Sequence, residues 1–429
     1  MQVRKAKQGY KLVKSLFGKY EEIPEQWNIK QINSLGRIVT GSTPSTSIRE
    51  FYDGQFLWAT PPDLESVKYV YSTQTKLSKK GFEQTRKLPP GSVLVTCIGT
   101  VGRTGIGIQE MATNQQINSV ITTGVDHEFL YYQLSYNHKK IKNMANQAVV
   151  PILNKTDFGT IKVLIPESEK EQQKIASVLS NVDSLINQTK KIIEQTQKLK
   201  KGLMQKLLVE GIGHAKFKKV KSLFGKYAEI PEEWNHSKMK DVCKKISVGI
   251  ATSTTKYFID NGVPLIRNQN IKDGYIETND LLHITKQFAK INESKKLNEG
   301  DVVCMRTGYP GQSAVVPSEM NGWQTFTTLI VRPNHKILDS NYLSMFMNSI
   351  GRKQITSVQA GAAQQNLNAG WLSNMSILIP PLKEQQKIAS ILSNIDSEIR
   401  KEQKYKSHLE TLKKGLMQKL LTGQIRVKV

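Results

Sequence analysis

Residues 171–177 read EQQKIAS, and residues 384–390 read EQQKIAS again. LKKGLMQKLL at 199–208 returns unchanged at 412–421. KSLFGKY at 14–20 returns at 221–227, each time followed by Ile-Pro-Glu and a tryptophan (Ile23, Trp27; Ile230, Trp234). The blocks keep their order at a spacing of a little over two hundred residues, which chance does not produce. The chain is two copies of one unit, and a period that long is a domain plus a helix rather than a solenoid repeat.

The constant segments 168–208 and 383–421 have helical periodicity. In the first, Ile175, Val178, Val182, Leu185, Thr189, Ile192, Thr196, Leu199 and Leu203 recur in steps of three and four, a coiled-coil seam with polar outer faces. In the second, Ile388, Ile391, Ile395, Tyr405, Leu409, Leu412 and Leu416 keep the frame. Glu398 and Glu402 interrupt it, and Leu392 and Ile399 offer apolar replacements one step round. Each segment follows proline (Pro166; Pro380-Pro381), and the first ends near Gly211 and Gly213. About 40 residues at 1.5 Å each make a helix near 60 Å long, which overhangs a small domain. Gly202 and Gly415 interrupt strong helix formers in both copies, where glycine costs about 1 kcal/mol. Close approach by the other helix or by a partner subunit would explain them.

Between the constant blocks the copies diverge: GSTPSTSIREFYDGQFLWATPPDLE in one faces VGIATSTTKYFIDNGVPLIRNQNIKDG in the other. An echo survives in GSVLVTCIGTVG (91–102) and GDVVCMRTGYPG (300–311). Apolar runs such as SVLVTCIG, INSVITTG, IKVLIP, DVVCMRTG and TTLIVRP are strand-like, and helices are expected near 127–145 and 340–357. Each insert is a mixed α/β globule. Sixty-one Lys and Arg against 36 Asp and Glu leave a formal net charge of +25, which points to a polyanionic partner. Cys97, Cys243 and Cys304 lie far apart without Cys/His clustering, so neither a zinc site nor a disulfide framework is expected. The basic start lacks the apolar core of a secretory signal, and no apolar run approaches a membrane span. A cytoplasmic location is expected.

A repeat of globule, helix, globule, helix can pair its helices antiparallel and so relate the globules by an approximate two-fold axis. Duplex DNA has local two-folds, so two half-sites about one helical turn apart could be addressed, with the helices as a ruler. The chain ends agree: LLTGQIRVKV followed by QGYKLVKSLFGKY imitates the internal LLVEGIGHAKFKKVKSLFGKY.

These residues resemble, over essentially the full length, the specificity subunits of type I restriction–modification systems. The resemblance is carried by GSTPSTS…FYDG…LWATPPDLE (41–65), IPESEKEQQKIASVLSNVD (165–183), IPPLKEQQKIASILSNID (379–396), the LKKGLMQKLL helix ends, GIGHAKFKK (211–219) and LLTGQIRVK. It implies an α+β fold: two mixed α/β target recognition domains separated by two long antiparallel coiled-coil helices in a pseudo-two-fold internal repeat. The expected divisions are 1–165, the N-terminal segment and first target recognition domain; 166–210, the central helix; 211–380, the linker and second target recognition domain; and 381–429, the C-terminal helix and tail. The resemblance also implies double-stranded DNA, two methyltransferase subunits and restriction (translocase–nuclease) subunits as partners. No cofactor is expected in this chain; adenosylmethionine, ATP and magnesium belong to the partners. The resemblance implies that the helices form the spacer and a docking surface, for which Ile175, Val182, Leu199, Gly202, Leu203, Ile388, Ile395, Leu412, Gly415 and Leu416 are the candidates. GIATSTT (249–255) departs from the GSTPS pattern, so carry-over is less secure in the second domain.

Base readout needs paired donors and acceptors: Arg on guanine, Asn or Gln on adenine, the Thr methyl on thymine. The first domain offers Thr43, Ser45, Trp58 and Thr60 in its polar opening, Arg103 and Thr104 in a glycine-rich turn, and Asn114, Gln115 and Gln116. The second offers Thr252, Thr254, Arg267, Asn268, Gln269, Arg306, Tyr309, Gln312, Gln364 and Gln365. Amide-rich turns also satisfy their own backbone, so the clusters carry more weight than their members. Trp27 and Trp234 read as core. No catalytic residue and no metal site is expected. ATPPDL (59–64) lacks the amide or carboxylate and the aromatic of a base-flipping methyltransferase loop, and no phosphate-binding G-x-x-x-x-G-K-[ST] loop occurs. The alternative, a non-enzymatic RNA-binding or scaffolding protein, gives no reason for an inverted duplication.

Overall fold

The helical segments form two long helices, Glu169–Leu207 and Leu382–Leu421. They belong to a computed structural model that describes residues 6–14, 20–146, 150–221, 227–359 and 366–428. Most of each KSLFGKY block, and Gln364 and Gln365, lie outside the described residues. The chain folds as two compact units: residues 1–190 with 404–429, and residues 191–403. Neither unit is one sequence repeat. Each takes the first half of its own long helix and the last turns of the other copy's.

Unit 1 opens with the antiparallel hairpin Tyr10–Lys14 and Tyr20–Pro24, and pairs Trp27–Gln31 with Lys162–Pro166. Its five-stranded sheet runs in the order Gly36–Thr40, Ile117–Thr122, Val93–Thr96, Thr104–Gly107, Tyr69–Val70. A second sheet sets Tyr52–Ala59 between Ala112–Thr113, parallel, and Lys76–Leu77, antiparallel. Unit 2 repeats the plan with a hairpin of Phe217–Lys221 and Tyr227–Pro231 and a pair of Asn235–Lys238 and Ser376–Ile379. Its larger sheet has four strands, Cys243–Val248, Leu329–Pro333, Val302–Cys304 and Ser313–Val315. Phe258–Ile266 lies between Gln324–Thr325, parallel, and Leu282–Ile284, antiparallel. Even the bulge recurs, between Tyr52 and Phe56 and between Phe258 and Val263. The expected strands and helices are present; the helix expected near 340–357 carries a π-helical turn at Met347–Gly351.

The cores show why the constant blocks are constant. In unit 1, Trp27, Phe129, Leu130, Ile175 and Leu179 pack with Leu420 and Leu421. In unit 2, Trp234, Tyr342, Leu343, Ile388 and Leu392 pack with Leu207 and Leu208. Each buried leucine contributes about 1.5–3 kcal/mol, so each unit depends on the helix end that closes it. The middle glutamine of EQQ ties the long helix to the globule. Gln172 donates to the Pro166 carbonyl (2.8 Å) and accepts from the backbone N–H of Asp126 (2.8 Å), the N-cap of His127–Tyr136. Gln385 does the same with Pro380 (2.9 Å) and Asp339 (2.8 Å), the N-cap of Ser340–Phe346.

The burial pattern corrects the sequence expectation at three positions of the first helix, while Val178 packs against the unit 1 core. Ile175, Val182 and Thr189 are buried and Leu203 half-buried, as the frame requires. Leu185, Ile192 and Leu199, however, are 41%, 45% and 57% exposed. The inward positions are Leu179, Ile186, Ile193 and Lys200. In the C-terminal helix Ile388, Leu392, Ile399 and Leu409 are buried, Ile395 and Leu416 half-buried, and Tyr405 and Leu412 exposed. Hydropathy favoured Leu199 over Lys200 and Leu412 over Lys413, but a lysine stem covers apolar surface while its ammonium pairs. In unit 1 Lys413 pairs with Asp183 at 2.5 Å; in unit 2 Lys200 pairs with Asp396 at 2.5 Å. Asp183 and Asp396 are equivalent positions, as are Lys200 and Lys413, so one bridge is made twice. A Cβ added to Gly202 or Gly415 would meet nothing within 4 Å, so neither glycine admits a close helix approach within the chain.

Candidate nucleic-acid interface

Segments seventy residues apart meet in unit 1. The amide N–H of Ser42 donates to the Thr113 carbonyl (2.9 Å), and the Trp58 indole donates to the Ser42 carbonyl (3.0 Å). The Thr43 hydroxyl donates to the Gln115 amide oxygen. Gly41 permits this approach: a Cβ there would lie 2.3 Å from the Thr113 carbonyl oxygen. Thr43, Ser45 and Gln115 are exposed and Thr60 and Gln116 half-exposed, while Trp58, Thr104 and Asn114 are buried. The buried three therefore shape the surface from behind. Asn114 holds Gln116, accepting from its backbone N–H (3.1 Å) and donating to its side-chain oxygen (2.8 Å). Thr60 caps Pro61–Leu64, its N–H and hydroxyl both donating to Asp63 (2.8 and 2.7 Å). Arg103 pairs with Glu65 at 3.0 Å.

Unit 2 builds the same positions with other side chains. Gly249 approaches the Thr325 carbonyl as Gly41 does Thr113. The turn at Thr60 is answered by Arg267, whose N–H donates to Asn270 (2.9 Å). The guanidinium of Arg267 and the amide of Gln269 both engage Asp280 (2.9 and 2.7 Å). Asn268 donates to the Thr307 hydroxyl (3.1 Å) and accepts from the Arg306 N–H (3.2 Å), while the Arg306 Nε donates to the Leu367 carbonyl (3.2 Å). Tyr309 is 70% exposed and Thr252 is exposed; Thr254 is buried, and Gln312 donates to the Ile271 carbonyl (3.2 Å).

The glycine-rich turns superpose in kind. Gly99 and Gly102 have φ of 73° and 94°, and Gly308 and Gly311 have 79° and 90°, a region that favours glycine. Thr96 and Arg103 are bonded N–H to carbonyl at 2.9 Å, and Met305 and Gln312 at 2.8 Å. One backbone thus carries Arg103 in one unit and Gln312 in the other.

Sequence reading missed the residues that brace these surfaces. Arg86 donates to the Thr40 carbonyl (2.7 Å), and Asp280 organises Arg267 and Gln269. Lys68 lies buried against Glu128 and donates to Ser180 (2.6 Å) and Tyr132 (3.1 Å), and Tyr132 donates to Asp183 (2.7 Å). Burial pushes the Lys68 ammonium down from its ordinary value, against the pull of Glu128. Burial would raise Glu128, but hydrogen bonds from Lys68 and Tyr69 and the lysine charge leave its carboxyl below the usual range. No sequence signal marks such contacts, because their partners share no local spacing. Among the described residues no His/Cys/Asp/Glu cluster could hold a metal ion, and no helix is long and apolar enough to cross a membrane.

Comparison with known proteins agrees with this architecture. A relative named the type I restriction enzyme MjaIX specificity subunit, from Methanocaldococcus jannaschii, is 27% identical over 416 residues, covering 95% of each chain. The crystal structure of the S subunit of a type I restriction–modification system from M. genitalium has a similar fold (TM-score 0.61, 14% identity, 92% of this chain and 96% of that one). A second structure, described as underlying complex assembly and conformational transition of a type I restriction–modification system, also matches in fold (TM-score 0.55, 14% identity, 94% and 100%). The family model for the type I restriction modification DNA specificity domain matches residues 24–198 and again 231–411. With both copies of the repeat matched over most of their length, the chain belongs to the type I restriction modification DNA specificity domain family.

Proposed function

We propose that this chain reads a bipartite, asymmetric DNA site, one half with each globule, and directs methyltransferase and restriction subunits to it. The observation that carries the reading is one frame built twice with different side chains on it: the same turns at Thr60 and Arg267, and the same glycine geometry beneath Arg103 and Gln312. The chain is a specificity subunit and not itself a catalyst; adenosylmethionine, ATP and magnesium belong to its partners. It works in the cytoplasm. The exposed Thr43, Ser45, Gln115, Thr252, Gln269 and Tyr309 are the foremost candidates for base contact.

The long helices run antiparallel as a coiled coil in a pseudo-two-fold repeat that sets the gap between half-sites. Within unit 1, Glu171 meets Arg426 and Asp183 meets Lys413; within unit 2, Lys200 meets Asp396 and His214 meets Glu384. In both, one partner's number rises as the other's falls, which supports the antiparallel reading. The exposed Leu185, Ile192, Leu199, Tyr405 and Leu412, with Gly202 and Gly415, are left for the modification subunits. Methylation mapping of DNA from cells carrying the intact system tests the function. Two unlike half-sites with a fixed gap are expected; an undivided palindrome would sink it.

A further inference from the structure

A groove of 730 Å³ lies in unit 1 between the glycine turn Gly99–Thr104, the short helix His138–Met144 and the long-helix residues Asp183, Asn187 and Lys413. Its lining holds five lysines and arginines against one aspartate. Lys139 and Lys142 are exposed, one helical turn apart, and their side chains have no partner among the described residues. In unit 2 two adjoining cavities of 640 and 130 Å³ occupy the corresponding place, beside the helix Arg352–Gln359 and the long-helix residues Lys200, Asp396 and Arg400. They too are lined by five lysines and arginines, against two aspartates. Lys201, Lys353 and Arg400 are exposed, and their side chains have no partner among the described residues.

The positive surplus appears at the same junction in both units, although the globules have diverged around it. A reader of bases would differ between the units as the half-sites do. A contact to the sugar–phosphate backbone would be the same in both, because phosphates carry no sequence. Lysine suits that task as a point charge on a flexible stem. We propose that these two grooves grip DNA phosphates independently of sequence, through Lys139 and Lys142 in unit 1 and Lys201 and Lys353 in unit 2. This rests on the DNA-reading function above and adds lysines that are not among the candidate base readers, although Arg103 and Thr104 also line the unit 1 groove.

The test uses the full chain in complex with its modification subunits, as wild type, K139Q/K142Q and K201Q/K353Q. Binding is titrated across salt on a duplex carrying the methylation-mapped site and on a scrambled duplex. Each double variant is expected to weaken both duplexes by the same factor. The slope of log K against log salt should shrink by about 1.8, at about 0.9 per lost phosphate contact, with the methylated sequence unchanged. An unchanged slope overturns the grooves while leaving the DNA-reading function standing. Selective loss on the specific duplex, or an altered methylated sequence, overturns them as well and makes these lysines base readers. Loss of the modification subunits at constant slope turns the grooves into a protein-docking surface. A wild-type complex that cannot tell the two duplexes apart defeats the function itself.

Discussion

Both units seat a glutamate at the start of a long helix, and they satisfy it differently. In unit 1 Glu171 is 1% exposed and grips Arg426 through two bonds of 2.5 and 2.8 Å. The neighbouring Trp27 indole is then left buried without an acceptor. In unit 2 Glu384 accepts from the Trp234 indole (3.0 Å) and the Ile212 amide (2.9 Å) and contacts His214 at 2.8 Å. Duplication has conserved a requirement, a fully bonded carboxylate, rather than a set of partners. The same contrast recurs about three turns on, at Asp183 and Asp396. Lys68, Glu128 and Tyr132 fill unit 1 beneath Asp183, whereas unit 2 has Asn341 and Met345 lining a 130 Å³ cavity beside Asp396.

The largest expected effect comes from removing the guanidinium. Arg426→Ala leaves a buried carboxylate unpaired and should cost about 3 kcal/mol. His214→Ala, which leaves Glu384 two donors, should cost about 1 kcal/mol. Urea unfolding measures both, and equal losses would break the comparison. Lys68→Met should cost about 2 kcal/mol for the same reason, and adding Glu128→Gln should restore most of it. A double variant no better than the single would show that Lys68 acts by packing alone.

Acid sharpens the contrast. Because the Glu128 carboxyl sits below its unfolded value near 4.3, its contribution is fully present above that value. It is lost as pH falls through the lower folded value. Hydrogen exchange should therefore show protection of His127–Tyr136 falling between pH 6 and 3 more than that of Ser340–Phe346, where Asn341 replaces the carboxylate. Parallel loss in both helices would refute the point. Smallest are Gly202→Ala and Gly415→Ala, each expected to stabilise by up to about 1 kcal/mol because the added methyl meets open space. Destabilisation by either would mean that the helix approaches something there.

The duplication, the helices, the strand runs and the membership of the GSTPS and ATNQQ segments in one domain were legible in the sequence, whereas their contact was not. The buried stripe was legible except at Leu185, Ile192, Leu199, Tyr405 and Leu412. Leu185-Ile186 and Ile192-Ile193 are adjacent apolar pairs, and hydropathy cannot say which member turns inward. At 199–200 and 412–413 it chose wrongly, since Lys200 and Lys413 face the seam by pairing with Asp396 and Asp183. Among the candidate readers, Trp58, Thr104, Asn114 and Thr254 are buried, which composition does not reveal.

The sequence alone determined that there are two copies, which blocks are frame and which are variable, and that the chain carries a large positive surplus. These follow from repetition, periodicity and net charge, all of which are sums along the chain. Tertiary structure decided which helix end closes which core, which of two adjacent apolar residues is buried, and that the glutamate in each copy finds its partners far away in sequence. Those outcomes depend on distances between residues 255 and more positions apart, and no local pattern encodes such a distance.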